Sequence, residues 1–571
     1  MGVKIKNKKQ SFLEGAAILI IATGLVKVIG AIFKIPLGNL IGEMGMGYFQ
    51  NAYDLYLPIY SLAMAGFPIA VSRMVAENVA NQRYRDTRTV LRVARKVFFV
   101  SGLVGFALMM LLAWPYMKLI SDQSELNGLT GIFVIAPSIL FCCIMSTYRG
   151  YYEGLRNMTP TAVSQVIEAL GKLILGFGLA LLANKLGWSP ENQAAMAIAG
   201  VTLGTLFGAI YLTLRFHISG DGIQKSWLAA PQPVRYPKTI FKMLAVIAIP
   251  VVIGSLANQV SSLVDAMTVQ RRLADVVANN PDFFQTNYSG MYQELAKEAS
   301  DQADLLSKIP TYLYGCYKGF AFSIFNLVPT IATSLGVSAL PAMATAWAAR
   351  SKKAVRLNME SVLRITSLIA LPAGLGMTVL ADGILNLLYP LKPVGAAIAA
   401  PNLAIMGFAA IFAGLALPIT NMLQAIGKQN IPVRNIIVGA VIKIAINWIM
   451  VGIPKFNVHG ASIGTVVCYF YIFIMNFYYL CKYTHIFPRL GKTFVKPLLA
   501  ALFCAGAAWA ASGLIGKVAS EKLATVFAIV VAAVVYVLAL ILLRVLTKDD
   551  VLMLPKGEKI AKVLEKLHWI G

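Results

Sequence analysis

The chain has 571 residues, of which 58% are hydrophobic and only 13% charged, and its mean hydropathy is +0.71. An ordinary soluble chain carries roughly 25% charged residues, so a single water-soluble globule is excluded. Fifty Lys and Arg against 25 Asp and Glu give a formal net charge of +25, and the placement of the positive residues points to a membrane surface rather than to nucleic acid.

Lys4, Lys6, Lys8 and Lys9 precede an apolar run that passes signal-peptide length without an A-x-A site, so it reads as a retained first span. Fourteen apolar runs of about 20 residues follow along the chain, at 12–33, 48–70, 92–115, 126–146, 162–183, 193–214, 240–265, 312–337, 362–388, 396–420, 434–453, 459–481, 494–516 and 523–546. They are long and continuous rather than short and alternating, which predicts helices and not barrel strands. The fold class is therefore all-α and polytopic.

Most Lys and Arg fall on connections that share one side if the amino terminus is cytoplasmic, and an even number of spans then returns the carboxy terminus to that side. The clearest such loop covers 73–96 and carries Arg73, Arg83, Arg85, Arg88, Arg92, Arg95 and Lys96; another holds Arg350, Lys352, Lys353 and Arg356. Without interleaved aromatics these clusters are topogenic, not a nucleic-acid footprint. Residues 266–311 form one hydrophilic external insertion, in which Asn287-Tyr288-Ser289 is a sequon of the kind that arises often by chance. The basic tail at 548–571 reads as an amphipathic helix on the inner leaflet.

Pairs of runs recur. Glu153-Gly154-Leu155-Arg156-Asn157-Met158-Thr159-Pro160 has a weak echo in Ile426-Gly427-Lys428-Gln429-Asn430-Ile431-Pro432, and Gly66-Phe67-Pro68-Ile69-Ala70 resembles Ala339-Leu340-Pro341-Ala342-Met343, at nearly one offset. A six-span unit repeated in one orientation predicts two lobes around a central cavity, the plan of alternating-access transporters with parallel repeats. The expected organisation is a first lobe at 1–225, a second at 226–490, two extra helices at 491–547 and the tail at 548–571.

Ionisable groups inside the spans are few, and each costs roughly 2.5–3.5 kcal/mol on insertion scales, so each should face protein, water or substrate. Lys27 and Lys34 lie seven residues apart on one helical face, and Asp54 follows among Tyr53, Tyr56 and Tyr60 as the nearest candidate partner. Lys318 stands in the eighth run. Glu168 and Lys172 are spaced i and i+4 with the acid first, which predicts an intrahelical ion pair. Lys443 on the matching eleventh run has Gly439 four residues before it, and so needs a partner from another helix or a ligand. Asp265 closes the seventh run beside Asn258 and Gln259, a polar group suited to lining the cavity or to holding a cation such as Na⁺; a plain helix-end acid is the alternative.

Enzymatic signatures are missing from the sequence: Leu490-Gly491-Lys492-Thr493 lacks the first glycine of a phosphate-binding loop, and no D-x-D pair occurs. The six cysteines have no C-x-x-C spacing and the four histidines are scattered, so neither forms a metal-ligand pattern, and the cysteines are read as packing residues. No cofactor is expected; coupling to Na⁺, to H⁺ or to the membrane potential stays open.

Lys27-Val28-Ile29-Gly30, Lys34-Ile35-Pro36-Leu37, Gly42-Glu43-Met44-Gly45, Gly66-Phe67-Pro68-Ile69-Ala70-Val71-Ser72 and Arg149-Gly150-Tyr151-Tyr152-Glu153-Gly154, followed by Met158-Thr159-Pro160-Thr161-Ala162-Val163-Ser164-Gln165, resemble the stage V sporulation protein B group of polysaccharide-biosynthesis membrane proteins. That group lies in the multidrug, oligosaccharidyl-lipid and polysaccharide exporter superfamily. The resemblance implies a bacterial flippase that moves an undecaprenyl-pyrophosphate-linked precursor such as lipid II to the outer leaflet, with cell-wall synthesis proteins as candidate partners; the residues themselves carry no ATPase signature and no nucleic-acid footprint. It also implies cavity-lining roles for basic residues on the first and eighth spans, here Lys27, Lys34 and Lys318. Relatives use arginine at such places, and lysine lacks its planar two-point grip on phosphate, which implies an altered geometry or a different lipid carrier. For an acid those relatives carry early in span two, Glu43 and Asp54 are the available substitutes. The competing functions are a drug or cation antiporter of the same superfamily, a membrane-embedded glycosyltransferase and a non-transporting scaffold.

Overall fold

The computed structural model describes residues 12–64, 66–120, 128–223, 235–516 and 520–545. The basic amino-terminal stretch and the expected amphipathic tail lie outside the described residues. Eleven helical runs among the described residues are long and apolar enough to cross a membrane, and no strand occurs among those residues. The described residues are nearly all helical, and the chain is a multi-pass membrane protein.

Two units divide at Arg271 and Arg272. The first contains α1 (Phe12–Met64), α2 (Phe67–Ala80), α3 (Tyr84–Ile120), α4 (Leu129–Gly154), α5 (Thr159–Gly171), α6 (Phe177–Lys185), α7 (Pro190–Ser219) and the body of α8 (Pro237–Asn279). The expected run at 12–33 and the part of the run at 48–70 up to Met64 are joined in α1, which is interrupted only at Gly42 (φ 68°, ψ −169°). That φ suits a residue without Cβ, whereas Pro36 and Pro58 are accommodated inside the helix. The helices start and stop on local chemistry: Pro190 stands at the first turn of α7, where a missing N–H costs nothing, and Gly220 (φ 66°) ends it.

Within this unit small residues set how closely helices approach, as expected where lipid supplies no apolar driving force between them. A Cβ on Gly150 would lie 2.6 Å from the Pro68 carbonyl oxygen, and one on Gly154 would lie 2.6 Å from that of Ser72, so α4 rests directly on the α2 backbone. Gly200, Gly204 and Gly208 repeat every fourth residue along α7. Gly204 meets Gly171 on α5, and Gly200 meets Gly176 in the π-helical turn Lys172–Gly176 that joins α5 to α6.

The second unit begins at Arg272. The expected external insertion is helical: the end of α8, α9 (Pro281–Asn287), α10 (Ser289–Ala296) and α11 (Gln302–Tyr314). Asp301 caps α11 by accepting from the Asp304 N–H at 2.8 Å, Tyr312 Oη donates to Glu294 at 2.7 Å, and Tyr288 pairs with Asn457. A π-helical turn, Gly315–Ala321, leads into α12 (Phe322–Phe325), and then come α13 (Leu327–Ala348), α14 (Lys352–Val379), α15 (Ala381–Leu388), α16 (Pro393–Ala425), α17 (Asn430–Val451) and α18 (His459–Thr484). Met343, Met359, Leu363, Ile419, Met422 and Leu480 form a core joining α13, α14, α16 and α18. The last pair, α19 (Lys496–Ile515) and α20 (Glu521–Leu542), packs through Cys504, Ala508 and Ala528 onto Leu380, and Tyr536 Oη donates to the Leu368 carbonyl at 2.7 Å.

Candidate functional site

A cavity of about 350 Å³ opens inside the first unit. Thr23, Val26, Ile29 and Gly30 line it from one segment of α1, Tyr53, Tyr56, Leu57 and Tyr60 from the segment beyond Gly42, Cys142 from α4, Gln165, Glu168 and Ala169 from α5, and Val201 and Thr205 from α7; Lys172 completes the wall. The tyrosines form a continuous aromatic side. Phe49 stacks on Tyr53 at 4.8 Å and Tyr56 on Tyr60 at 5.4 Å, with Tyr53 edge-on to Tyr56 at 5.9 Å. Residues four apart on a helix share a face, which is why this spacing produces a wall of rings.

The intrahelical ion pair expected between Glu168 and Lys172 is replaced by a different arrangement. Arg149 on α4 donates through Nη2 to Glu168 Oε2 at 3.0 Å and through Nε to Ser164 Oγ at 2.9 Å. A planar guanidinium can make both directed contacts at once, and this outcompetes a flexible ammonium on the same helix. Lys172 begins the π-helical turn and holds its Nζ 5.1 Å from the Phe33 ring and 5.3 Å from that of Tyr53, a cation–π arrangement. Glu168 and Lys172 both line the cavity, and the carboxylate is bonded to Arg149, which is not among the lining residues.

The other sequence candidates are distributed differently. Lys27 and Lys34 are half-buried on α1, and neither belongs to the cavity lining; Lys27 lies three residues before the lining Gly30, and Lys34 follows Phe33. Asp54 is fully buried and accepts from Gln50 Nε2 at 3.2 Å and from Ser262 Oγ on α8 at 2.9 Å. Asp265 is buried further along α8, and among the described residues no three His, Cys, Asp or Glu side chains converge as a metal-binding group. In the second unit Lys318 is buried in the π-helical turn with Nζ 4.3 Å from the Phe322 ring, and Lys443 is buried on α17. All six cysteines are free and five are buried, Cys142 facing Tyr56 Oη at 4.0 Å.

Sequence reasoning passed over Arg149 as an ionic partner, and over Gln165 and Thr205 as lining groups. The signal present was the motif at 149–154 itself, five members of which have a visible task. Arg149 reaches Glu168, Gly150 and Gly154 admit α2, Tyr151 Oη donates to Asp221 at 3.0 Å, and Tyr152 Oη donates to the Gly220 carbonyl at 3.2 Å.

Comparison with known proteins agrees with this architecture. Residues 12–347 match the family model described as polysaccharide biosynthesis protein, and residues 320–526 match that of lipid II flippase MurJ. Stage V sporulation protein B of Bacillus subtilis is 24% identical over 96% of this chain and 98% of its own. Lipid II flippase MurJ of the same organism is 23% identical over 81% of this chain and 82% of its own. A solved structure of lipid II flippase MurJ in an inward closed conformation superposes with a TM-score of 0.62, at 15% identity, over 91% of this chain and 97% of that one, so the two share a fold. With the family model spanning more than half of its length, this chain belongs to the polysaccharide biosynthesis protein family.

Proposed function

We propose that this protein is a flippase for an undecaprenyl-pyrophosphate-linked cell-wall precursor, lipid II or a related lipid-linked oligosaccharide, and works by alternating access in the bacterial cytoplasmic membrane. The observation that carries the reading is the division of charge in the first-unit cavity: Arg149 satisfies Glu168, and Lys172 faces the cavity over two aromatic rings. An ammonium so placed is suited to phosphate oxygens, and the tyrosine wall is suited to the faces of sugars. At about 350 Å³ the cavity is near the lower end of ligand sites, which fits the phosphate-bearing part of the substrate and leaves the polyprenyl chain in lipid. Family membership and the named activity of its relatives support transport rather than covalent catalysis.

In this reading both termini are cytoplasmic, fourteen spans form two six-helix lobes, and α19 and α20 are additions to the second. Lys27 and Lys34 feed the substrate along α1, Lys318 and Lys443 serve the second lobe, and Asp54 and Asp265 set the local charge, with Asp265 a candidate for cation coupling. A membrane potential of 100 mV supplies about 2.3 kcal/mol per charge moved fully across, which is one available drive; a Na⁺ or H⁺ gradient is another.

A cation antiporter is the competing function, and the carboxylate and tyrosines of the cavity are what favour it. Vesicles containing labelled lipid II distinguish the two. Wild-type protein is expected to equalise the lipid between leaflets and Lys172→Gln to do so at least tenfold more slowly. Equal rates would remove the lysine from the mechanism, and no transfer by wild type would remove the substrate.

A further inference from the structure

A second cavity, of about 340 Å³, is lined by Arg95, Lys96 and Phe99 on α3 and by Ile144, Thr147 and Tyr148 on α4. It shares no lining residue with the first, and none of its lining residues is acidic. The Arg95 guanidinium packs against an aromatic pair, with Cζ 4.7 Å from the Phe216 centroid and 5.1 Å from that of Tyr148, the two rings being 5.5 Å apart. Both rings offer the cation a π-face within cation–π reach and so restrain where it lies. Its Nε and Nη2 are buried and have no hydrogen-bond acceptor among the described residues. Buried guanidinium donors without acceptors are costly and demand an explanation. Here a fork of directed donors stands ready for an anion with paired oxygens.

The surroundings identify the kind of anion. From the cavity, α3 presents an exposed apolar stripe: Phe99 is 50% exposed, Val100 58%, Leu103 49% and Val104 52%. Lys96 is exposed at the head of that stripe. A basic pocket opening onto an apolar helix face at the edge of a membrane span matches a molecule with a phosphate at one end and acyl chains behind it. A soluble phosphate has no use for the stripe.

We propose that this groove binds the phosphodiester of an anionic glycerophospholipid, with Arg95 gripping the phosphate oxygens, Lys96 adding charge at the rim, and one acyl chain lying along Phe99, Val100, Leu103 and Val104. Under the charge bias of the loops this is the cytoplasmic leaflet. The lipid is a structural and regulatory ligand, separate from the transported one. It braces α3 against α4 and α7, the helices that also carry Arg149 and Gly204.

The test uses the full-length protein purified in mild detergent and native mass spectrometry with added phosphatidylglycerol or phosphatidylcholine of the same acyl chains. One phosphatidylglycerol is expected to remain bound where phosphatidylcholine does not. Lys96→Gln, at an exposed position, should weaken its retention about fivefold, and Arg95→Gln with Lys96→Gln about thirtyfold. Melting of Lys96→Gln without added lipid should match wild type, which separates lost binding from lost folding. Equal retention of the two lipids, or unchanged phosphatidylglycerol retention in Lys96→Gln and in the double variant, would overturn the proposal. Displacement of phosphatidylglycerol by millimolar inorganic phosphate would overturn it too, by assigning the site to a soluble anion.

Discussion

Arg149 and Glu168 meet across α4 and α5 with Nη2 3.0 Å from Oε2, and their side chains are 14% and 33% exposed. The contact gives the acid a directed partner other than Lys172, one helical turn further along. Replacing Arg149 with Ala should therefore slow lipid transfer by freeing Glu168 to claim the lysine. Arg149→Ala combined with Glu168→Gln should recover part of the rate. The single change also strips two hydrogen bonds from charged groups, each worth about 1.5–3 kcal/mol, a loss that thermal melting in nanodiscs will register. A double variant no faster than Arg149→Ala would contradict the assigned role.

The glycine stripe on α7 sets the position of the same groups. A Cβ on Gly204 would lie 2.7 Å from the Glu168 carbonyl oxygen and 3.0 Å from the Lys172 N–H nitrogen. Gly204→Val must push α7 from α5, with an overpacking cost of about 1–3 kcal/mol. Both the melting temperature and the transfer rate should fall. At Gly178, where nothing approaches within 4 Å, Ala should leave both unchanged; the pair of variants measured side by side makes the comparison.

Asp221 organises the chain just after α7. It accepts from Arg88 Nε at 3.2 Å, from Tyr151 Oη at 3.0 Å and from the Ile223 N–H at 3.0 Å. Asp221→Ala leaves the buried Tyr151 hydroxyl without its acceptor and releases Ile223. Limited proteolysis should then cut after residue 219 several times faster than in wild type, while Tyr151→Phe, which keeps the Arg88 contact, should have a smaller effect. Identical cleavage in all three proteins would refute the anchoring.

In the insertion, the hydrogen bond from Lys308 Nζ to Asp304 at 2.8 Å holds that carboxyl below its ordinary value of 3.8. A carboxyl lowered by folding adds stability that is complete above its unfolded pKa and is lost as the pH falls through the folded one. Hydrogen exchange in the first turn of α11 should accelerate as the pH is lowered from about 5 to about 2, after correction for intrinsic rates. Asp304→Asn should flatten that dependence, and an unchanged profile would exclude this pair as its source.

The membrane class and most helices were legible because hydropathy over twenty residues reports burial in lipid whatever the tertiary partners are. The pairing of Glu168 was not. Its spacing to Lys172 is a local signal, whereas Arg149 arrives from another helix with two-point geometry that one sequence does not display. The π-helical turn at Lys172 is equally tertiary, since it lies where Gly171 and Gly176 meet Gly204 and Gly200. Gly42 shows the same limit from the other side. Two prolines mark α1 more strongly in sequence, yet the break falls at the glycine, where φ is positive.

A photoactivatable undecaprenyl pyrophosphate, cross-linked to the protein in vesicles and mapped by peptide mass spectrometry, examines the cavity directly. Label should concentrate on the cavity-facing segments around Thr23, Gly30, Cys142, Gln165 and Thr205, and Lys172→Gln should abolish it there while Lys172→Arg retains it. Label confined to the second unit or to lipid-facing surfaces, or label in the cavity indifferent to Lys172→Gln, would contradict a phosphate held by that lysine.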